Sequence, residues 1–351
     1  MIKDITIKEA LAMDDAIFVD VRSEGEFAEA TVPGAFNIPL LDNEERVKVG
    51  IVYKQEGPEK ARKIGLEIVS PKLAPMVEQF YQLGQQKPII VLCWRGGMRS
   101  KSVATILRLM GFPVYRLIGG YKSYRRFVNE YLGRSQLSQR VVVLHGLTGV
   151  GKTEVIEELR QMGIAAVNLE GLANNRGSVF GNIGLGAQPS QKNFEGGLVQ
   201  QLMAYGDYPY VIVECESKRI GRISLPDILV TGMQEGIHLL LYAPMSKRVE
   251  RLLEIYALSG PDGIEQCKRA INGLVQRLGC ERVKYLSEQM NQGRLTVVAE
   301  ELLVNYYDPL YKYPGQPSDQ YDLSVDTSDI KGAARQIAEY IESFPYGKDV
   351  G

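Results

Sequence analysis

The sequence predicts an α/β protein of two successive domains, the second carrying a helical C-terminal part. Three observations carry this expectation. The length of 351 residues exceeds one ordinary domain. In both halves short β-branched apolar runs alternate with stretches of helical spacing, the pattern of a mainly parallel sheet. Around residues 133–139 (GRSQLSQ) the apolar pattern lapses. The resulting division is a first domain at 1–131, a linker at 132–139 and a second domain at 140–345, with a largely helical stretch at about 246–292.

In the first half, residues 16–21 form a short β-branched run that reads as a buried strand. Residues 88–92 form another, ending directly at Cys93. Residues 100–110 place apolar side chains at helical spacing and stop at Gly111. Residues 113–117 make a third strand, followed by Gly119-Gly120. In the second half a strand at 140–145 enters a glycine-rich turn and a helix at 153–162. Further strands are expected at 210–213, 237–242 and 323–325, with a last helix near 329–343.

Composition narrows the functional classes. No run of about 18 apolar residues exists, so no membrane span is expected. The start, MIKDI, mixes charges at once and lacks the apolar stretch of a signal peptide. Four cysteines without CxxC spacing suit neither a disulfide framework nor a zinc site. A reducing, cytoplasmic compartment is the expectation. The formal net charge of −1 gives no global footprint for nucleic acid, so an RNA partner requires a local basic face.

Cys93, Trp94, Arg95, Gly96, Gly97, Met98 and Arg99 lie between a strand and a helix. A loop wrapping onto a helix N-terminus gathers backbone N–H groups at one spot, and the helix dipole adds positive potential there. Both favour a nucleophilic thiolate. Gly96 and Gly97 let the backbone curl, and Arg95 and Arg99 are charged donors for an oxyanion. A lone cysteine is more commonly an inert buried residue. That reading is kept for Cys215, Cys267 and Cys280, whereas the loop around Cys93 argues for function.

The segment Asp20-Val21-Arg22-Ser23-Glu24-Gly25-Glu26-Phe27, then Val32-Pro33-Gly34-Ala35-Phe36-Asn37-Ile38-Pro39, resembles the N-terminal motif of rhodanese-like domains. With Cys93 and Gly119-Gly120 the match covers nearly all of 1–131. The resemblance implies a cysteine that carries a persulfide or related chalcogen adduct. One departure matters: the common sulfur-transfer loop places Arg five residues after Cys, and Arg99 lies six after Cys93. That wider spacing also occurs in phosphatases of this fold and suits a tetrahedral ligand, although Leu92 stands where many phosphatases have His.

Gly146-Leu147-Thr148-Gly149-Val150-Gly151-Lys152-Thr153 fits G-x-x-x-x-G-K-[ST], between a predicted strand and a predicted helix. Amides from Thr148 to Thr153 are expected to cradle a diphosphate, with Lys152 neutralising it and Thr153 placed to ligate magnesium. The strand at 211–213 ends in a second acidic motif, Glu214 and Glu216, to hold magnesium or act as a base. The plain alternative is pairing with Lys218, Arg219 or Arg222. Residues 170–181 are polar and glycine-rich. They read either as a substrate loop that includes Arg176 and Ser178, with Arg176 facing phosphate and Phe180 stacking, or as a surface connection.

The chain as a whole resembles the bacterial tRNA 2-selenouridine synthase family. The resemblance is carried by Cys93 to Ser100, Tyr53-Lys54-Gln55 with Gly65-Leu66, the phosphate loop, Leu169 to Ala173 with Arg176 to Ser178, Glu214 with Glu216-Ser217, and Tyr306 to Tyr311. Asn175 stands where that family is expected to carry His, so no proton-transfer role is assigned there. The resemblance implies that wobble 2-thiouridine of a tRNA is alkylated by geranyl diphosphate and that selenium from selenophosphate then displaces the geranylthiol. A selenophosphate synthetase would supply that donor. It further implies that Lys152 serves the diphosphate step and that Cys93, Arg95 and Arg99 serve the selenium step. No tightly bound cofactor is expected beyond magnesium with the diphosphate. RNA contact is expected at Lys218, Arg219 and Arg222, and at Lys247, Arg248 and Arg251, against the plain reading of solvated faces. Two other readings stand beside this one: a rhodanese-fold phosphatase fused to a kinase-like domain, and a nucleotide-gated sulfur carrier.

Overall fold

The computed structural model describes residues 2–84, 86–177, 180–215, 217–257 and 260–344. Contacts divide the chain into two units, Met1–Gly133 with Ser190–Val199, and Arg134–Pro189 with Gln200–Gly351. The segment Ser190–Val199 joins the first unit through ties that its sequence does not announce. Asn193 accepts a hydrogen bond from the Thr31 N–H at 3.0 Å, and Lys192 pairs with Glu29 at 2.6 Å.

The first unit is built on five parallel strands: β1 (Lys3–Ile5), β2 (Ile17–Asp20), β3 (Phe36–Asn37), β4 (Ile89–Leu92) and β5 (Val114–Leu117). Their order is β1-β5-β4-β2-β3. All four residues of β4 are fully buried, as the unbroken apolar run requires of a strand covered on both faces. β2 leads to β3 on one side while β4 leads to β5 on the other. The crevice at such a switch point, beyond the strands' carboxyl ends, is where α/β sheets place ligands. Cys93 follows β4 at that end.

The second unit repeats the plan with β6 (Arg140–His145), β7 (Ala166–Val167), β8 (Tyr210–Glu214), a hairpin of β9 (Arg219–Ile220) and β10 (Ile223–Ser224), β11 (Ile237–Tyr242) and β12 (Leu323–Asp326). The sheet order is β12-β11-β6-β8-β7, all parallel. The central strand β6 runs straight into Gly146. The helices Lys152–Gln161 and Ile330–Glu342 pack on this sheet through Val155, Ile156, Leu159, Ala334 and Ile337.

A separate helical cluster forms from Met245–Ala257, Gly260–Asn272, Val275–Leu278, Cys280–Asn291 and Leu295–Leu302, sharing a core that includes Val249, Ile271, Leu286 and Tyr306. The helical part thus runs on past the expected end near 292. Among the described residues no helix is long and apolar enough to cross a membrane.

Candidate functional sites

At the cysteine loop, two backbone connections fix the thiol. The carbonyls of Cys93 and Trp94 accept hydrogen bonds from the N–H groups of Tyr121 and Lys122, at 2.8 and 3.0 Å. Those donors open the helix Gly120–Leu132. Gly120 sits at φ +57°, and a Cβ there would lie 2.0 Å from the Cys93 carbonyl oxygen and 2.5 Å from the Gly96 nitrogen. Only glycine permits this approach, which gives the second glycine of the pair its physical reason. Cys93 itself is 3% exposed, and its Sγ lies 3.2 Å from the Ser100 hydroxyl. Ser100 is a contact that sequence reasoning passed over, because a serine in a helix's first turn ordinarily signals no more than capping.

The N-terminal motif supports this loop from beneath. Asp20 and Arg22 form a buried pair at 2.6 Å, and Arg22 also donates to the Ala30 carbonyl. The Arg22 guanidinium lies 4.4 Å from the Tyr121 ring centroid and 5.8 Å from that of Trp94. Burying this cation is tolerable because carboxylate, carbonyl and aromatic faces all receive it. Trp94 and Met98 are exposed around the thiol, as is Arg95.

Arg99 departs from its expected role as a ready anion donor. Its guanidinium forks onto Glu26, with Nη1 at 2.6 Å and Nη2 at 3.2 Å. Glu26 is held in turn by the capping box with Ser23. Burial pushes the Glu26 carboxyl up, but the hydrogen bond and charge of Arg99 outweigh it and leave the group below the ordinary glutamate range. An oxyanion at this loop therefore competes with Glu26 for Arg99.

In the second unit the phosphate loop lines a cavity of about 370 Å³, at the small end of small-molecule pockets. Gly146, Gly149, Lys152 and Thr153 line it together with Leu185, Leu252, Tyr307, Tyr311 and Tyr313. Arg176 and Arg251 add positive charge, and Glu154 and Glu170 add carboxylates. Gly146, Gly149 and Gly151 all take positive φ. The Lys152 ammonium donates to the Gly146 carbonyl at 2.9 Å.

Two arginines expected at RNA hold this loop instead. Arg248, 4% exposed, donates to the Thr148 carbonyl at 2.8 Å and forks onto Asp308. Arg251 donates to the carbonyls of Gly149, Val150 and Thr327. A basic residue at helical spacing shows which helix face is polar, but not which carbonyl it will meet. The other basic candidates are also engaged in part: Lys218 pairs with Asp227 at 3.0 Å, Arg222 donates to the Gln188 carbonyl, and Lys247 pairs with Glu250. Arg219 is exposed on the β9–β10 hairpin.

The acidic motif is also redistributed. Glu214 is wholly buried, so it does not face the cavity as the expected magnesium ligand or base. Its Oε1 accepts the backbone N–H of Glu170 at 2.8 Å. Burial above all, then the nearby Glu170 charge, pushes the Glu214 carboxyl up to about 7. Glu216 and Ser178 lie outside the described residues. Arg176 lines the cavity and donates to the Ile183 carbonyl at 2.8 Å. Phe180 is no stacking platform: it is 2% exposed and packs 6.1 Å from the Tyr307 ring within the helical core. Asn175, also buried, hydrogen-bonds Asn182 and accepts from the Gly177 N–H.

Of the cysteines read as inert, Cys267 is buried and its thiol is pushed up to about 11 by desolvation, which fits that reading. Cys215 instead lines the cavity, with its Sγ 3.2 Å from the Tyr313 hydroxyl. The chain's two histidines meet beside the loop, His145 Nε2 lying 2.8 Å from His238 Nδ1. Burial, then the charges of His238 and Lys152, pushes His145 down to about 4.

Comparison with known proteins assigns both halves. Residues 6–127 match the model of the rhodanese-like domain, and residues 139–344 match that of the tRNA 2-selenouridine synthase AAA domain. The chain belongs to the tRNA 2-selenouridine synthase family. The tRNA 2-selenouridine synthase of Pseudomonas syringae pv. syringae (strain B728a) is 36% identical, over 95% of this chain and 96% of the relative. That of Sulfurovum sp. (strain NBC37-1) is 31% identical, over 95% and 97%. A solved N-terminal domain from Clostridium difficile 630 is 44% identical, covering 36% of this chain and 98% of its own, at a TM-score of 0.35. Family membership therefore rests on near full-length similarity and includes both the thiol loop and the phosphate loop.

Proposed function

We propose that this family member is an enzyme that replaces sulfur by selenium in wobble 2-thiouridine of tRNA, in two steps served by its two loops. In the first step the thiouridine sulfur attacks C1 of geranyl diphosphate. The C–S bond forms, the C–O bond breaks, diphosphate departs and the N3 proton is released. In the second, selenium of selenophosphate attacks C2, so that the C–Se bond forms and the C–S bond breaks with loss of geranylthiol. Water then cleaves the P–Se bond, releasing inorganic phosphate and leaving 2-selenouridine. The observation that carries this reading is the cavity on the phosphate loop. Its lining combines the phosphate loop, Lys152, Arg176 and Arg251, suited to a diphosphate, with Tyr307, Tyr311, Tyr313, Leu185 and Leu252, whose apolar surface suits an isoprenoid.

Lys152, Arg176 and Arg251 would stabilise the departing diphosphate. Magnesium, when bound there, would supply further charge neutralisation, with Thr153 among its ligands. The Cys93 loop serves the selenium step, with Arg95 exposed beside it and Arg99 shared between Glu26 and the incoming anion. The tRNA, the diphosphate-bearing prenyl donor and selenophosphate are all charged, which fits a cytoplasmic setting.

The test is nucleoside mass spectrometry of 2-thiouridine tRNA incubated with the full chain and geranyl diphosphate, selenophosphate, both or neither. A geranylated nucleoside with the prenyl donor alone, and a selenated one with both, is the expected result. Lys152→Ala should block the first product, and Cys93→Ala only the second. Selenation of an already geranylated tRNA that fails in Lys152→Ala, with geranylation intact, would refute this division of labour.

A further inference from the structure

A magnesium ion arriving with a diphosphate takes hard oxygen donors, usually one or two protein oxygens with phosphate oxygens and waters completing the shell. In loops of the G-x-x-x-x-G-K-[ST] type the last residue's hydroxyl is one donor, here Thr153. The usual second donor is the acid that ends the neighbouring strand, and that position belongs to Glu214. Its burial rules it out as a ligand. It has no exposed surface, and one carboxylate oxygen is occupied by the Glu170 N–H.

Glu170 meets the requirements that Glu214 fails. It lines the cavity, and its Oε2 lies 3.4 Å from the Thr153 hydroxyl oxygen. Its backbone is positioned from two sides. Glu214 accepts its N–H, and Asn168 caps the short helix Leu169–Ala173 through the Gly171 N–H. Asn168 is itself anchored to Glu157 at 2.9 Å. The second Glu214 oxygen is buried without a hydrogen-bond partner among the described residues. A buried carboxyl with one oxygen unpartnered is costly, and its other oxygen accepts the N–H of the residue that lines the cavity.

We propose that Glu170, not Glu214, is the carboxylate that holds a divalent cation at the diphosphate site, with Thr153 as the other protein ligand and Glu214 as the positioning residue for Glu170. The proposal rests on the loop being a diphosphate site and is independent of the identity of the prenyl group or the fate of the tRNA.

The probe is Mn²⁺, titrated by electron paramagnetic resonance into the full chain with and without inorganic pyrophosphate. The expected result is one Mn²⁺ bound more tightly with pyrophosphate present. Glu170→Gln should weaken that binding tenfold or more without weakening metal-free pyrophosphate binding, because it removes a negative charge beside the anion. Glu214→Gln retains an acceptor for the Glu170 N–H and should weaken Mn²⁺ binding less than Glu170→Gln does. Glu170→Asp, whose circular dichroism checks the fold, should fall between Glu170→Gln and the unaltered chain. Unchanged Mn²⁺ binding in Glu170→Gln, or a larger loss in Glu214→Gln than in Glu170→Gln, overturns the proposal. A chain that binds Mn²⁺-pyrophosphate as expected yet yields no geranylated nucleoside would instead count against the prenyl reading alone.

Discussion

Replacing Gly120 by alanine tests whether the thiol loop owes its shape to one backbone approach. The new methyl carbon would stand 2.0 Å from the Cys93 carbonyl oxygen, 2.5 Å from the Gly96 nitrogen and 3.0 Å from the Arg95 nitrogen. All three are backbone atoms, so no side-chain rotation relieves the clash. Holding a non-glycine residue at φ +57° costs about 1–2 kcal/mol. Displacing the loop forfeits the Tyr121–Cys93 and Lys122–Trp94 hydrogen bonds, each worth about 0.5–1.5 kcal/mol. Together these predict a loss of roughly 2–5 kcal/mol from the first unit. Gly50→Ala is the counter-test. Its Cβ meets nothing within 4 Å in the helix Asn43–Gln55, so it should gain about 0.5–1 kcal/mol. The assay is urea unfolding, combined with selenation of pre-geranylated tRNA and geranylation measured separately. Gly120→Ala should lose stability and selenation while geranylation persists. Unaltered stability and selenation in Gly120→Ala would refute the reasoning.

Three further outcomes follow from the described contacts. Arg248→Ala should lower the unfolding midpoint, because it strands Asp308 and frees the Thr148 carbonyl. The salt slope of tRNA binding should not change, whereas removing a true phosphate contact would reduce it by about one. Glu26→Gln should release Arg99, so that inorganic phosphate binds several-fold tighter by calorimetry in a Lys152→Ala background. Weaker binding would show that Glu26 assists the anion. His145 is held neutral, its folded value of about 4 lying below the ordinary 6.5. Its contribution is therefore present above pH 6.5 and lost as pH falls toward 4, on the order of 2–3 kcal/mol. The stability gap between the unaltered chain and His145→Gln should shrink from pH 7.5 to pH 5.0 in urea unfolding, and a constant gap would discount the histidine.

The parts of the site that were legible in the sequence are those whose chemistry is local. The phosphate loop and the thiol loop each compress their glycines, their nucleophile or lysine and the adjoining strand and helix into about eight residues, and both appear where expected. β3 and β7, at two residues each, are too short to show a period. What stayed hidden is long-range. Glu170 looks like any acid in a helix's first turn until β8 brings Glu214 beneath it. Tyr306 to Tyr311 stand in the sequence only as a stretch that carries the family resemblance, and only the fold brings Tyr307, Tyr311 and Tyr313 to a loop about 160 residues earlier. Arg248 and Arg251 show the same limit from the other side. The fold turns them onto loop carbonyls, and the charge pattern alone could not distinguish that from a solvated face.

That use of the two arginines has a thermodynamic consequence. Carbonyls of Thr148, Gly149 and Val150 are tied down by Arg248 and Arg251, so the loop is ordered when the chain folds rather than when a ligand arrives. Conformational entropy that a mobile loop would surrender on binding has already been spent, and more of each contact energy is left to appear as affinity. Because the ties originate on the helix Met245–Ala257, the stiffness of the phosphate loop is set by how well the helical cluster packs. Core substitutions there, at Val249 or Ile271, should therefore be felt as weaker ligand binding before they are felt as unfolding.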